Sequence, residues 1–193
     1  MSPAQADHAR AAPDLLDSGI PAGLEGLTLE SPRLDDGAAL WRIARDSEAL
    51  DLNSSYSYLL WCRDYAATSI VARDATGAPV GFITGYTRPE APHTLLIWQV
   101  AVDAGRRGRG LAAAMLDALA RRTGRELGVN VIETTITPDN TASNRLFASF
   151  AERHGAAVEN EVLFDAGVFP ERGHQPEVLY RIGPIPGRAT TGR

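Results

Sequence analysis

The chain has 193 residues and a mass of 20.7 kDa, a length that favours one domain. Its hydrophobic content of 44% and charged content of 22% exclude collagen-like, mucin-like and wholly disordered classes. A formal charge of -5 and a pI near 5.4 argue against a nucleic-acid partner held by a broad basic field, and the lone cysteine, Cys62, leaves no internal disulfide. No Cys/His spacing suggests a metal site. With no apolar leader and no run near the ~20 residues of a membrane span, a cytoplasmic protein without membrane attachment is expected.

Residues 1–23 are rich in Ala, Pro, Gly and Asp with weak periodicity, and residues 184–193 read the same way; both are expected to be mobile tails around a domain at 24–183. Leu27-Thr28-Leu29 predicts a first strand. Asp35 or Asp36 can cap a helix through Leu40, Trp41, Ile43 and Ala44. A second helix is predicted through Leu59, Leu60 and Cys62. Thr68–Ala72 and Val80–Tyr86 are runs rich in β-branched residues on either side of the turn signal Asp74-Ala75-Thr76-Gly77, which predicts a hairpin. Leu95–Val102 is almost continuously apolar, as for a strand covered on both faces. Leu111, Met115 and Leu119 recur every four residues and mark one stripe of a helix. Val131–Ile136 predicts a strand. Pro138-Asp139-Asn140 opens a helix carrying Leu146, Phe147 and Phe150 that closes near Gly155. Two further strands are predicted around Ala157–Leu163 and Val178–Ile182. The order β-α-α-β-β-β-α-β-α-β-β predicts a mixed α/β fold, one sheet with helices on both faces.

The sharpest local signal is Gly105-Arg106-Arg107-Gly108-Arg109-Gly110-Leu111-Ala112, between the buried strand and a helix. Glycines allow close backbone approach, and a helix start offers free N–H groups to an anion, so this loop suits a pyrophosphate. A solvated basic turn is the plainer alternative. Gly-Lys-Ser/Thr is absent and GxGxxG is not met, which excludes a Walker loop and disfavours a dinucleotide fold.

Arg107-x-x-Gly110-x-Ala112 resembles the acetyl-CoA signature of the GNAT N-acetyltransferases, and the resemblance runs over about residues 25–183. It implies a mostly antiparallel sheet whose fourth and fifth strands splay apart. Val100-Ala101-Val102 would then pair with pantetheine, the amides of Arg107, Gly108, Arg109, Gly110, Leu111 and Ala112 would wrap the pyrophosphate, and Asn140 would contact the pantetheine arm. As a plain reading, Asn140 is a helix cap. Many members carry a tyrosine where this chain has Phe147, beside the thioester sulfur. Phenylalanine donates no proton, so coenzyme A leaves as thiolate, consistent with a thiol pKa of about 8.5, or is protonated by another group.

Three further stretches bear on the acceptor: DLNSSYSY at 51–58, WQVAVD at 98–103 and GHQPEVLY at 173–180, joined by ETTITPDNTAS. Together they resemble the L-2,4-diaminobutyrate acetyltransferases of ectoine synthesis. That resemblance implies transfer of acetyl to the side-chain (N4) amine, with a homodimer as the assembly; acetylation of another small amine such as ornithine or a polyamine, and a non-catalytic acyl-CoA-binding module, are the competing readings. A diamine with one carboxylate needs anionic partners and a few donors. Asp51 and Glu177 are the candidate carboxylates, Asn53, Ser54, Ser55 and Tyr56 the candidate orienting groups, and Trp98 a cation–π or apolar wall. A helix cap, core aromatics and a surface charge are the competing readings of Asp51, of Tyr56 and Trp98, and of Glu177. A lysine-like amine has a pKa near 10.4, so keeping it neutral at pH 7 costs roughly 4.6 kcal/mol. His174, Glu177 and Tyr56 are the candidates for the group that takes its proton, and backbone N–H groups near Val100 for the oxyanion. Glu133 is expected to face outward or to join a water chain, His93 to lie in a turn, Cys62 to be buried and inert, and Arg121, Arg122 and Arg125 to form a solvated helix end.

Overall fold

The computed structural model describes residues 24–48, 50–170 and 172–185. The tail expected at 1–23 lies outside them, as do residues 186–193. Pro184 and Ile185, expected in the second tail, are described: the Ile185 N–H donates to the Asn130 carbonyl at 2.7 Å and its side chain packs on the core.

The predicted order of elements is the observed one. It runs β1 (Thr28–Glu30), α1 (Gly37–Ser47), α2 (Ser55–Asp64), β2 (Ile70–Arg73), β3 (Pro79–Arg88), β4 (Ala91–Val102), α3 (Leu111–Leu127), β5 (Val131–Ile136), α4 (Thr141–His154), β6 (Val158–Phe164) and β7 (Glu177–Ile182), with four one-turn 3-10 helices between them. The β2–β3 turn forms around Asp74, whose carboxylate accepts the N–H groups of Thr76 at 2.9 Å and Ala78 at 3.2 Å. At Gly155 the chain enters the left-handed region with φ +59°, ending α4.

Seven strands form one sheet in the order β1-β2-β3-β4-β5-β7-β6, antiparallel except for β4 beside β5. Alternation along the strands divides two cores. Ile70, Ala72, Ile83, Leu95 and Ile97 pack with Leu111, Met115, Leu119, Phe147 and Phe150 of α3 and α4. Val71, Phe82 and Ala101 point the other way, onto Leu40, Ile43, Tyr58 and Cys62 of α1 and α2. Helices therefore cover both faces, each large apolar side chain contributing about 1.5–3 kcal/mol on burial.

One irregularity shapes the site. In the β3–β4 ladder Thr84 faces Gln99, but Gly85 faces Ile97, so Trp98 is an extra residue bulging from β4. Gly85 is required opposite the bulge, because a Cβ there would lie 2.7 Å from the Leu96 carbonyl oxygen. The β4–β5 pairing stops one residue earlier, at Ile97 with Thr134. Beyond it β5 pairs with β7 alone, so the two parallel strands part company, and the β5-facing edge of Trp98–Val102 has no strand partner.

Several side chains sit differently from expectation. Asp36 does stand at the N-cap of α1, but without a side-chain cap bond; its buried carboxylate is instead bonded twice to the Arg73 guanidinium at 2.6 and 2.8 Å. Glu133 does not face outward. Its buried carboxylate is clamped between Arg88 and Arg181, because those strands bring both cations to one face. Arg122 leaves the expected solvated cluster and lies buried between α3 and the segment before β2, donating to the Ser69 carbonyl and the Ser31 hydroxyl. His93 lies in β4, its Nδ1 3.1 Å from the Gly128 carbonyl oxygen. Replacing Asp36 by Ala leaves Arg73 buried without its main counter-ion, and denaturant unfolding is expected to show a loss of about 3–5 kcal/mol.

Candidate active site

Two cavities open where β4 and β5 separate, one of about 680 Å³ and one of about 430 Å³. They share Leu50, Val100, Asn140 and Ser143 in their walls, so they meet at the splay.

The larger cavity lies between the end of β4, the glycine-arginine loop and the outer face of α4. Val100, Ala101, Val102, Arg107, Gly108, Gly110, Leu111 and Ala112 line it, as does Asn140. Arg109, the remaining loop candidate, is exposed and not in the wall. Gly108 and Gly110 have φ of +74° and +78°, a region that favours glycine. A Cβ at either would meet no atom within 4 Å, so these positions need glycine for their conformation and leave open space above the backbone. Gly110 is also the N-cap of the 17-residue α3, where unpaired N–H groups and the helix dipole favour an anion. Four arginines line this cavity (Arg106, Arg107, Arg145 and Arg153) and no carboxylate does.

The smaller cavity has the opposite character. Asp51, Asp139 and Glu177 line it and no arginine does. Asn53, Trp98 and His174, also sequence candidates, line it as well. Trp98, thrown outward by the bulge, is 52% exposed and stacks on Trp61 with ring centroids 6.4 Å apart. His174 lies flat on Phe169, centroids 3.6 Å apart, and its Nδ1 is 2.6 Å from the Gln175 carbonyl oxygen. That contact requires Nδ1 to be the donor, which leaves the lone pair of the neutral ring on Nε2. Buried Phe147 stands in this wall, not in that of the larger cavity. Tyr56 is 65% exposed and Ser55 is exposed; neither lines either cavity, because α2 turns both outward.

Asn140 holds two positions at once. Its side-chain oxygen accepts the Ser143 N–H at 3.0 Å, so it caps α4, while the residue also stands at the junction of the cavities. Of the two readings of the sequence, the cap is the one observed.

Gln99 is a wall residue that the sequence reading left unassigned. Its side-chain oxygen accepts the hydroxyl of buried Tyr58 at 3.1 Å, and its amide donates to the Asp51 carbonyl at 3.0 Å. The bridge fixes the Asp51 segment over the smaller cavity. A polar residue within the apolar run Leu95–Val102 was the available signal.

Residues 37–151 match the model of the acetyltransferase (GNAT) family. The L-2,4-diaminobutyric acid acetyltransferase of Streptomyces coelicolor is 70% identical over 159 residues, 82% of this chain and 94% of that protein. Its counterpart from Streptomyces anulatus is 60% identical over 185 residues, 96% and 99% of the two chains. A solved diaminobutyrate acetyltransferase from Paenibacillus lautus, in complex with L-2,4-diaminobutyric acid and coenzyme A, superposes with a TM-score of 0.78 at 38% identity, covering 83% of this chain and 96% of that one.

The chain belongs to the GNAT acetyltransferases, among the diaminobutyrate acetyltransferases. A GNAT enzyme needs no reactive thiol of its own, and Cys62 fits that. Burial in the α1–α2 core, with Asp36 nearby, pushes its thiol up to about 12. The native protein is therefore expected to resist alkylation at pH 8, and mass spectrometry should show modification only after unfolding.

Proposed function

We propose that the larger cavity holds acetyl-CoA and the smaller one L-2,4-diaminobutyrate, and that acetyl passes to the N4 amine at their junction, giving N4-acetyl-L-2,4-diaminobutyrate, the ectoine precursor. The observation that carries this reading is the division of charge: an arginine-lined cavity for a polyphosphate meets a carboxylate-lined cavity for a diamine, at the strand edge that β5 abandons.

Acetyl-CoA supplies the activated acyl group. The loop amides from Arg107 to Ala112 and the start of α3 suit its pyrophosphate, and the unpaired edge of Val100–Val102 suits the amides of its pantetheine arm. A free N–H on that edge is the simplest partner for negative charge on the acyl oxygen. Asp51 and Glu177 attract the two ammonium groups, Asn53 offers polar contacts for the amino-acid end, and the Trp98 ring forms a wall. His174 Nε2 and the Glu177 carboxylate are the groups that can take the amine's proton once the cavity is closed to water. Phe147 has no hydroxyl with which to protonate the leaving sulfur, so departure as thiolate is the simplest route. Assembly as a homodimer belongs to the same proposal. The edge strand β6, with Val158, Val162, Leu163 and Phe164 exposed, is the surface that supports it.

Offering the enzyme acetyl-CoA with diaminobutyrate, ornithine, the one-carbon-shorter diamine or spermidine, and following thiol release, is expected to show the highest kcat/KM for diaminobutyrate. Preference for another amine would overturn the acceptor assignment. Gly110→Glu sets a carboxylate in the loop at a φ disfavoured for side chains, and calorimetry is expected to show coenzyme A affinity falling by about tenfold or more. Glu177→Gln is expected to lower kcat/KM for the amine about 100-fold while coenzyme A binds as before. Normal turnover would remove Glu177 from the site.

A further inference from the structure

Coenzyme A carries a third phosphate, on the 3′ position of its ribose, that the loop amides do not account for if they hold the pyrophosphate. We propose that Arg145 forms its subsite. This rests on the assignment of the larger cavity to coenzyme A.

The outer wall of that cavity is one face of α4, and its residues fall into two stripes spaced by four. Ala142 and Leu146 make an apolar stripe, while Arg145, Ser149 and Arg153 make a polar one. Of the four arginines in the cavity, three are engaged within the protein. Arg107 donates to the Val102 carbonyl at 3.0 Å, Arg106 stands 3.9 Å from an Asp74 carboxylate oxygen, and Arg153 is paired with Asp117 at 3.0 Å while also donating to Ser149. Arg145 is exposed and has no hydrogen-bond or ion-pair partner among the described residues. It lies five residues along α4 from Asn140, about 7.5 Å farther from the junction along the helix axis. A free guanidinium on a wall whose other arginines already have partners within the protein is matched to a phosphomonoester, which carries -1.5 to -2 charge at pH 7 and accepts a bidentate pair.

Titration calorimetry of the full chain with coenzyme A and with 3′-dephospho-coenzyme A tests the assignment. The unaltered protein is expected to bind coenzyme A about tenfold more tightly than the dephospho form. Arg145→Ala is expected to bring the two affinities together, with the dephospho form bound as before, and Arg145→Lys to keep part of the preference. Because Arg145 is exposed and unpartnered, neither change disturbs the fold, and a matched thermal transition will verify that. A preference kept in full by Arg145→Ala, or absent from the unaltered protein, overturns the subsite. If the unaltered protein binds neither compound, the coenzyme A assignment of the cavity falls, and the subsite with it.

Discussion

Everything in the site follows from the point at which two parallel strands stop bonding. β4 and β5 pair only as far as Ile97 and Thr134, and the bulge at Trp98 turns β4 away immediately afterwards. A buried main-chain group left unpaired costs about 1–3 kcal/mol, so such an opening persists only where water or a ligand can reach it. Here the opened edge faces both cavities. β5 stays in the sheet through β7, which pairs with its opposite edge from Ile132 to Ile136. The sheet thus has a gap in its middle without losing its continuity.

Charge is divided across this gap in a way that net charge conceals. The chain is acidic overall, yet the charged residues lining the larger cavity are all arginines, and those lining the smaller one are carboxylates. All nineteen basic residues are arginines. Guanidinium groups bind phosphate by paired, planar hydrogen bonds and do not lose their proton near neutrality. A chain without lysine also presents an acyl donor with no side-chain amine of its own to compete with the substrate.

Much of this was legible in the sequence, and the reasons are local. The order of elements follows from hydrophobic period and from turns such as Asp74–Gly77 and Gly155, where short-range chemistry decides the path. The glycine-arginine loop announces itself because Gly108 and Gly110 occupy backbone space that other residues avoid. What escaped is set by distant partners. Asp36 read as a cap and Glu133 and Arg122 as outward or solvated charges, and only the tertiary structure brings Arg73, Arg88 with Arg181, and the Ser69 carbonyl to them. Tyr56 and Ser55 carried the right chemistry in a suggestive motif, but the phase of α2 points them to solvent. Gln99 was passed over because its role depends on Tyr58 and on the Asp51 carbonyl, 41 and 48 residues away.

Asn140 carries one more implication. Its oxygen is committed to the Ser143 amide, so the half of its carboxamide still able to reach into the passage is the NH2 group. At that point Asn140 therefore presents a donor to the passage. Aspartate would cap the helix equally well, yet it would turn a donor gate into an anionic one, repelling the carbonyl oxygens of any extended amide threaded through it. The demand of the helix end alone cannot tell the two residues apart; the traffic through the gap can.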